Sequence, residues 1–316
     1  MDQPLKIGIS RCLTGDAVRY DGGHARDAFL MDTLGPYVTY VPVCPEVECG
    51  MPVPRNPMRL AGNPDAPKLV VIKTGEDKTS QMEAWISRKL ADLEKENLCG
   101  FIFKKNSPSS GLFRVKVYDA SGMPRKVGVG LFAKAFTERF PRIPAEEDGR
   151  LNDPKLRENF IERIFTLRRW REVLDQPPSL GSLVDFHTRH KLLIFSHSQT
   201  HYRAMGKLVA QGKTLSPGRL FREYETQLME ALALMATVKK HLNVLQHIMG
   251  YFKTVLSSDE KQELLDLLDR YAGEELPLIV PITLLNHYVR KYRQAYLTDQ
   301  VYLNPHPMAL KLRNHA

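Results

Sequence analysis

Val43-Cys44-Pro45-Glu46-Val47-Glu48-Cys49-Gly50-Met51-Pro52-Val53-Pro54-Arg55 is the most informative stretch of the chain. It carries two of the four cysteines, two carboxylates between them and three prolines that stiffen the backbone around them. Just upstream, Tyr37-Val38-Thr39-Tyr40-Val41-Pro42-Val43 is β-branched and aromatic, which predicts a strand. Cysteines at a strand end, in a loop that Pro and Gly hold rigid, point to a site. The plainer alternative is a tight surface loop with two partly buried thiols, since free Cys is a commonly buried residue.

Working outward, Lys6-Ile7-Gly8-Ile9-Ser10 predicts a short buried strand that runs into Arg11-Cys12-Leu13-Thr14-Gly15. A helix is expected over 26–34, stopped by Gly35-Pro36. Leu69 to Ile72 predicts another strand, and Asp77 or Thr79 caps a helix with Trp85, Ile86, Leu90 and Leu93 on one face. Gly100 to Lys105 predicts a strand ahead of Asn106-Ser107-Pro108-Ser109-Ser110-Gly111, followed by a strand over 114–118 and a helix from Leu131 to Arg139. Alternating strands and helices predict an α/β domain, Rossmann-like with a mainly parallel sheet. Ligands of such sheets bind beyond the carboxyl ends of the strands. Cys12, the loop from Cys44 to Cys49, and Ser107 to Ser110 each follow a predicted strand, so they are expected at one edge. Cys99 precedes its strand and reads as a small buried residue at the opposite edge.

The character changes after Phe140. Pro141 to Arg150 is a Pro-flanked, charged connection, and a helix is expected from Pro154 to about Leu174. From Ser182 onward the pattern is helical, with helices predicted near 182–211, 218–256, 259–272 and 278–297 and an extended tail from Asn304. Ser257 with Glu260 predicts a capping box, and Gly273 a helix stop. The expected organisation is an α/β domain over 1–145, a connecting segment with a helix over 146–181, and an all-α domain over 182–316.

Composition narrows the function classes. The chain has 316 residues, 43% of them hydrophobic, with a net charge of +9. Of the 45 Lys and Arg and 36 Asp and Glu, residues 1–150 hold 22 and 19, leaving 23 and 17 for the rest. That modest basic excess is compatible with nucleic acid as a partner. No apolar run is long enough to span a bilayer, and Met1 to Lys6 lacks the pattern of a signal peptide, so a cytoplasmic location is expected. Four cysteines in such a setting favour metal or catalytic roles over disulfides. The spacing of Cys12, Cys44 and Cys49 is not the paired spacing of a zinc ribbon, whereas three converging thiolates suit an iron–sulfur cluster. Glu46, two residues after Cys44, is placed for general acid or base work. A zinc hydrolase, an iron–sulfur enzyme and a nucleic-acid-binding protein all stay open on these grounds.

Three motifs carry a resemblance. Cys12-Leu13-Thr14-Gly15 with Val18-Arg19-Tyr20-Asp21-Gly22, Val43-Cys44-Pro45-Glu46 with Pro54-Arg55, and Lys105-Asn106-Ser107-Pro108-Ser109-Ser110-Gly111 together resemble the 2-thiouracil desulfurase family over about residues 5–140. The resemblance implies a [4Fe–4S] cluster held by three cysteines, with one iron free to accept sulfur from a small thiolated base. Sulfur would be replaced by oxygen without redox change. Cys12 and Cys44 match the first two ligands, Glu46 the neighbouring acidic residue and Ser107 the first serine of the third motif, the last two as catalytic residues. Ser110 departs, standing where short members of the family have a third cysteine, and Cys49 is expected to take that place. Asp21, Glu48, Ser109 and Ser110 are candidates to meet substrate or to support the residues that do.

The second half resembles the YbgA-type helical domain over about 182–305, through Val184-Asp185-Phe186-His187-Thr188-Arg189-His190-Lys191. His187, His190, His197 and His201 fall within roughly 80° of one helical face, either as a metal or relay site or as hydrogen-bonded core residues. Tyr288, Arg290, Lys291, Tyr292, Arg293 and Tyr296 interleave bases and aromatics as a nucleic-acid surface does. A homodimer is a further expectation, and no membrane partner is expected.

Overall fold

Ile7 to Ser10 are buried along strand β1 (Lys6–Ser10), as a central strand of a parallel sheet requires. In the computed structural model, which describes residues 5–315, β1 is flanked on both sides by parallel partners. The strands that follow are β2 (Thr39–Val43), β3 (Met58–Ala61), β4 (Lys68–Val71), β5 (Gly100–Phe103), β6 (Val115–Tyr118), β7 (Pro124–Gly128) and β8 (Ala145–Glu147). One sheet has the order β2-β1-β5-β8 and is parallel throughout; a second, β4-β3-β6-β7, is mixed. Ser10 lies opposite Val43, and Ile9 opposite Ile102, so β1, β2 and β5 end together. Gly8 permits this close pairing, because a Cβ there would stand 2.2 Å from the Phe101 ring.

The chain divides into two compact units, Met1–Asp153 and Pro154–Ala316. The reading of Met1 to Pro4 lies outside the described residues. In the first unit the helices are α1 (Pro45–Glu48), α2 (Thr79–Lys95) and α3 (Leu131–Arg139). Met82, Trp85, Ile86 and Leu93 form the buried face of α2, and Phe132 and Phe136 that of α3. Their rings close over Phe101 and Phe103, which stack with centroids 4.2 Å apart. Cutting one such buried ring back to Ala costs about 3–5 kcal/mol.

The parallel sheet and the α/β class are as expected from the sequence, and four local features differ. The helix expected over 26–34 is a short wide turn over Phe29–Leu34. β3, β7 and β8 were not foreseen. β7 is exposed along most of its length, so it carries no alternating apolar signal.

The second unit is helical: α4 (Pro154–Leu174), α5 (Leu180–His197), α6 (Gln199–Ala210), α7 (Pro217–Ala233), α8 (Val238–Met249), α9 (Ser258–Ala272), α10 (Ile279–Lys291) and α11 (Ala295–Thr298). The helix α4, expected in a connecting segment, contributes Trp170 to this unit's core, against Phe186 and Tyr224. The single helix expected over 182–211 breaks at Ser198, whose hydroxyl accepts the His201 N–H and caps α6. The helix expected over 218–256 breaks between α7 and α8, and the one over 278–297 between α10 and α11. The Ser257–Glu260 capping box and the stop at Gly273 are both formed.

The tail from Asn304 is not extended. It turns back so that Leu310, Leu312 and Arg313 are buried, with Arg313 bonded to Glu158 at 3.1 Å and Glu162 at 2.8 Å. Among the described residues, no helix is long and apolar enough to cross a membrane.

The four histidines of the stripe each have a separate partner. His187 Nδ1 lies 3.1 Å from the Tyr224 hydroxyl, His190 Nδ1 2.8 Å from the Phe186 carbonyl, and His201 Nδ1 2.9 Å from Ser198 Oγ. His197 bridges the Leu234 carbonyl and Glu162. His187, His190 and His197 are buried, hydrogen-bonded residues of the helical unit, and His201 is hydrogen-bonded and partly exposed, which is the plainer of the two expectations. Tyr288 is buried, Lys291 and Tyr292 bind Glu260, and Tyr296 stacks on Tyr251.

Burial lowers the imidazole of His187 to about 4 and that of His241 to about 3, and holds His190 well below the ordinary 6.5. Below that value the unfolded chain takes up protons that the folded rings refuse, so stability falls as pH drops from 6.5 toward 4. Each ring contributes up to about 1.4 kcal/mol per pH unit. Glu158 works in the opposite sense, one group against these three rings and that of His306, which burial also lowers to about 4, because burial, reinforced by the Glu162 charge, raises its carboxyl to about 8. Helix loss followed by circular dichroism is therefore expected at lower temperature at pH 5 than at pH 7. An equal or higher midpoint at pH 5 contradicts the neutral buried rings.

Candidate active site

Because β2, β1 and β5 are adjacent and parallel, the three segments that leave their carboxyl ends meet. The turn after β1 carries Cys12, the residue after β2 is Cys44, and the loop after β5 holds the serines. Cys12, Cys44, Glu46, Ser107 and Ser110 line one cavity of about 410 Å³. Pro at the first position of α1 preorganises its single turn, and Cys44 precedes it in extended backbone. Glu48 Oε1 accepts the Cys44 N–H at 2.9 Å, and its other oxygen meets Lys89 at 2.9 Å. Glu48 thus braces α1 from outside the cavity.

Glu46 is the acidic centre of the site. Its side chain is 11% exposed, and Oε1 accepts a hydrogen bond of 2.6 Å from Ser109 Oγ. Ser109 is fully buried and does not line the cavity; it grips Glu46 from behind. Ser107 Oγ lies 3.0 Å from Ser109 Oγ and accepts the N–H groups of Ser109 and Ser110. Glu46 Oε2 has only longer contacts, 3.7 Å to Cys44 Sγ and 3.7 Å to Arg55. Arg55 is itself anchored, with its guanidinium donating to the Val18 carbonyl at 3.0 Å.

The remaining sequence-derived residues lie elsewhere. Asp21 is exposed, closes a turn by accepting the Gly23 N–H and pairs with Arg19. Cys49 ends α1, five residues after Cys44 and so about 140° around the helix from it. Its Sγ is 3.2 Å from the Glu46 carbonyl and packs beside the apolar core, outside the cavity lining. Ser110 stands in that lining instead. Cys99 is buried at the start of β5, as expected.

Two supports were missed in the sequence. Glu147 Oε1 accepts the N–H groups of Leu112 and Phe113 at 2.7 and 3.1 Å. Asp148 accepts the Lys105 N–H at 2.7 Å and pairs with Lys104. Both carboxylates pin the serine loop. Their segment looks like a charged linker because the strand preceding Asp148, β8, is only three residues long.

Burial pushes the Cys12 thiol up to about 11, against the pull of Lys104 and Arg19. Burial with the Glu46 charge pushes Cys44 up to about 12, and burial also raises Cys49. Free thiolates are therefore disfavoured here without a metal. The lining also holds Arg11, Arg19, Arg55, Lys104 and Lys105 against the one carboxylate of Glu46. Two thiols in a cation-rich cavity fit an iron–sulfur cluster, whose thiolate-ligated form is anionic.

The serine loop is held from below by α3. The N–H groups of Leu131 and Phe132 donate to the carbonyls of Pro108 and Ser109, and a Cβ on Gly130 would stand 2.5 Å from the Ser109 carbonyl carbon. Gly130→Ala must move the loop and release Ser109 from Glu46. A loss of about 1–3 kcal/mol in urea unfolding is expected; wild-type stability contradicts this packing.

The chain is similar to known proteins in both halves. Residues 7–148 match the family described as 2-thiouracil desulfurase, and residues 191–307 the family described as a protein of unknown function, DUF1722. The uncharacterized protein YbgA of Escherichia coli (strain K12) is 32% identical over 167 residues, which is 52% of this chain and 98% of that protein. Among solved structures, a [4Fe-4S]-dependent thiouracil desulfidase, TudS, is 28% identical, with a TM-score of 0.39 over 47% of this chain and 93% of its own. The chain belongs to the YbgA family, with a 2-thiouracil desulfurase region ahead of its DUF1722 region.

Proposed function

We propose that the first unit is an iron–sulfur-dependent desulfidase that replaces the sulfur of a small thiolated pyrimidine by oxygen. The observation that carries this reading is the placement of Glu46, buried and gripped by Ser109, in one cavity with Cys12 and Cys44. Cys12 and Cys44 would hold a [4Fe–4S] cluster, and Cys49, the remaining thiol beside Glu46, would complete the set only by turning from the apolar core into the cavity, whose lining it lies outside in this structure. The cluster supplies an iron with affinity for the departing sulfur. Ser110 is the competing third donor, since it already stands in the cavity lining.

The net change is C=S plus water to C=O plus hydrogen sulfide, with no change of oxidation state. Glu46 is the base for the water. Ser109 occupies Oε1, which leaves Oε2 as the oxygen free to take a proton. Arg55 beside that oxygen keeps the carboxylate oriented. Ser107 faces the cavity, and the three oxygens of Ser107, Ser109 and Glu46 form a continuous chain along which a proton moves to or from the reacting group. A cavity of about 410 Å³ is of the size that encloses a small ring compound.

Two experiments test this. Glu46→Gln keeps shape and removes the base, so turnover of 2-thiouracil is expected to fall by roughly 10²–10⁴ with iron content unchanged. Undiminished turnover sinks the assignment. After anaerobic reconstitution, Cys12→Ala, Cys44→Ala and Cys49→Ala are each expected to lose iron, and Ser110→Ala to keep it. Retention in Cys49→Ala with loss in Ser110→Ala moves the third ligand to Ser110.

A further inference from the structure

The helical unit contains a second polar cavity, of about 560 Å³, lined among others by Glu158, Glu162, His197 and His241. Glu158 and Glu162 are one helical turn apart on α4 and share a face. Both are buried, and one guanidinium, that of Arg313, serves both. Arg313 takes Oε1 of each and spends a third donor on the Tyr302 carbonyl. His315 Nε2 lies 3.4 Å from Glu158 Oε2, and with one guanidinium between them the two carboxylates can both be ionised only if a further cation joins them.

A third group converges on the pair from the returning tail. One oxygen of Glu158, one of Glu162 and one ring nitrogen of His306 all lie within 4.8 Å of one another. His306 Nε2 is buried and has no hydrogen-bond partner among the described residues. A buried imidazole nitrogen without a partner and two buried carboxylates converging within 4.8 Å supply the donor types of a metal site. The outer contacts fit as well. Arg313 holds Oε1 of both carboxylates, and His197 Nε2 lies 3.1 Å from Glu162 Oε2. Ligating carboxylates are braced in this way by neighbouring hydrogen bonds. The cavity reaches Glu158 and Glu162, while His306 lies outside its lining.

We propose that Glu158, Glu162 and His306 form a site for one divalent transition-metal ion of the zinc class in the helical unit. Imidazole with two carboxylates suits such an ion, and three protein ligands leave a position for water. The ion would tie the tail to α4. This site is independent of the cysteine cavity of the first unit.

Cobalt(II) titration of the chelator-treated full chain tests it, because thiolate and nitrogen–oxygen ligation differ in colour. One equivalent is expected to bind with weak visible bands only, and zinc(II) to displace it. His306→Ala is expected to weaken that binding about tenfold or more. His306→Gln is measured beside it, so that a misfolded Ala variant, seen by circular dichroism, does not decide the matter. Absence of the weak bands, with or without strong thiolate bands at the cysteines, overturns the proposal. So does binding that is unchanged in a folded His306 variant.

Discussion

The site depends on the pairing of β1 in parallel with both β2 and β5. Those two ladders bring three strand ends to one place, and Cys12, Cys44 and the serine loop follow from that. The constraint reaches down to Gly8, whose missing side chain makes room for the Phe101 ring. It is also supported from the far side. β8 adds to β5, and the two residues that finish it and follow it, Glu147 and Asp148, pin the loop that carries Ser107 to Ser110. The core beneath, built on Phe101, Phe103, Phe132 and Phe136, fixes α3 under the same loop. Packing and polar placement therefore serve one geometry.

Within that geometry, the charge of Glu46 is sheltered rather than neutralised. A short bond from Ser109 holds one oxygen, and the other keeps only distant contacts. One oxygen of Glu46 is thus left without a close partner, while two buried thiols beside it are disfavoured as free anions. The cationic rim of Arg11, Arg19, Arg55, Lys104 and Lys105 completes a setting for an anionic cluster. The helical unit solves a related problem differently, sharing one arginine between two buried carboxylates.

Much of this was legible in the sequence where local pattern and tertiary role agree. The β-branched run into Val43, the Pro-stiffened turn after it and the serine loop after Phe103 each announce a strand followed by a polar loop. Glu46 stands out on that basis, whereas Ser107 is singled out by the family resemblance. Cys49 shows the limit: sequence proximity to Cys44 does not place it on the same side of a one-turn helix. Glu147 and Asp148 were hidden because a three-residue acidic strand has no readable period. The breaks at Ser198 and after Ala233 carry no Gly or Pro to mark them. The return of the tail depends on Arg313 meeting Glu158 and Glu162, pairs separated by more than 150 positions. No local signal encodes such a contact.

The most direct test of the central claim is the fate of oxygen in one turnover of the anaerobically reconstituted protein. With 2-thiouracil in ¹⁸O-labelled water and no reductant, one labelled oxygen in the uracil and one sulfide released per turnover are predicted. Unlabelled product, a requirement for reductant, or no sulfide from protein whose cysteines hold iron would contradict it.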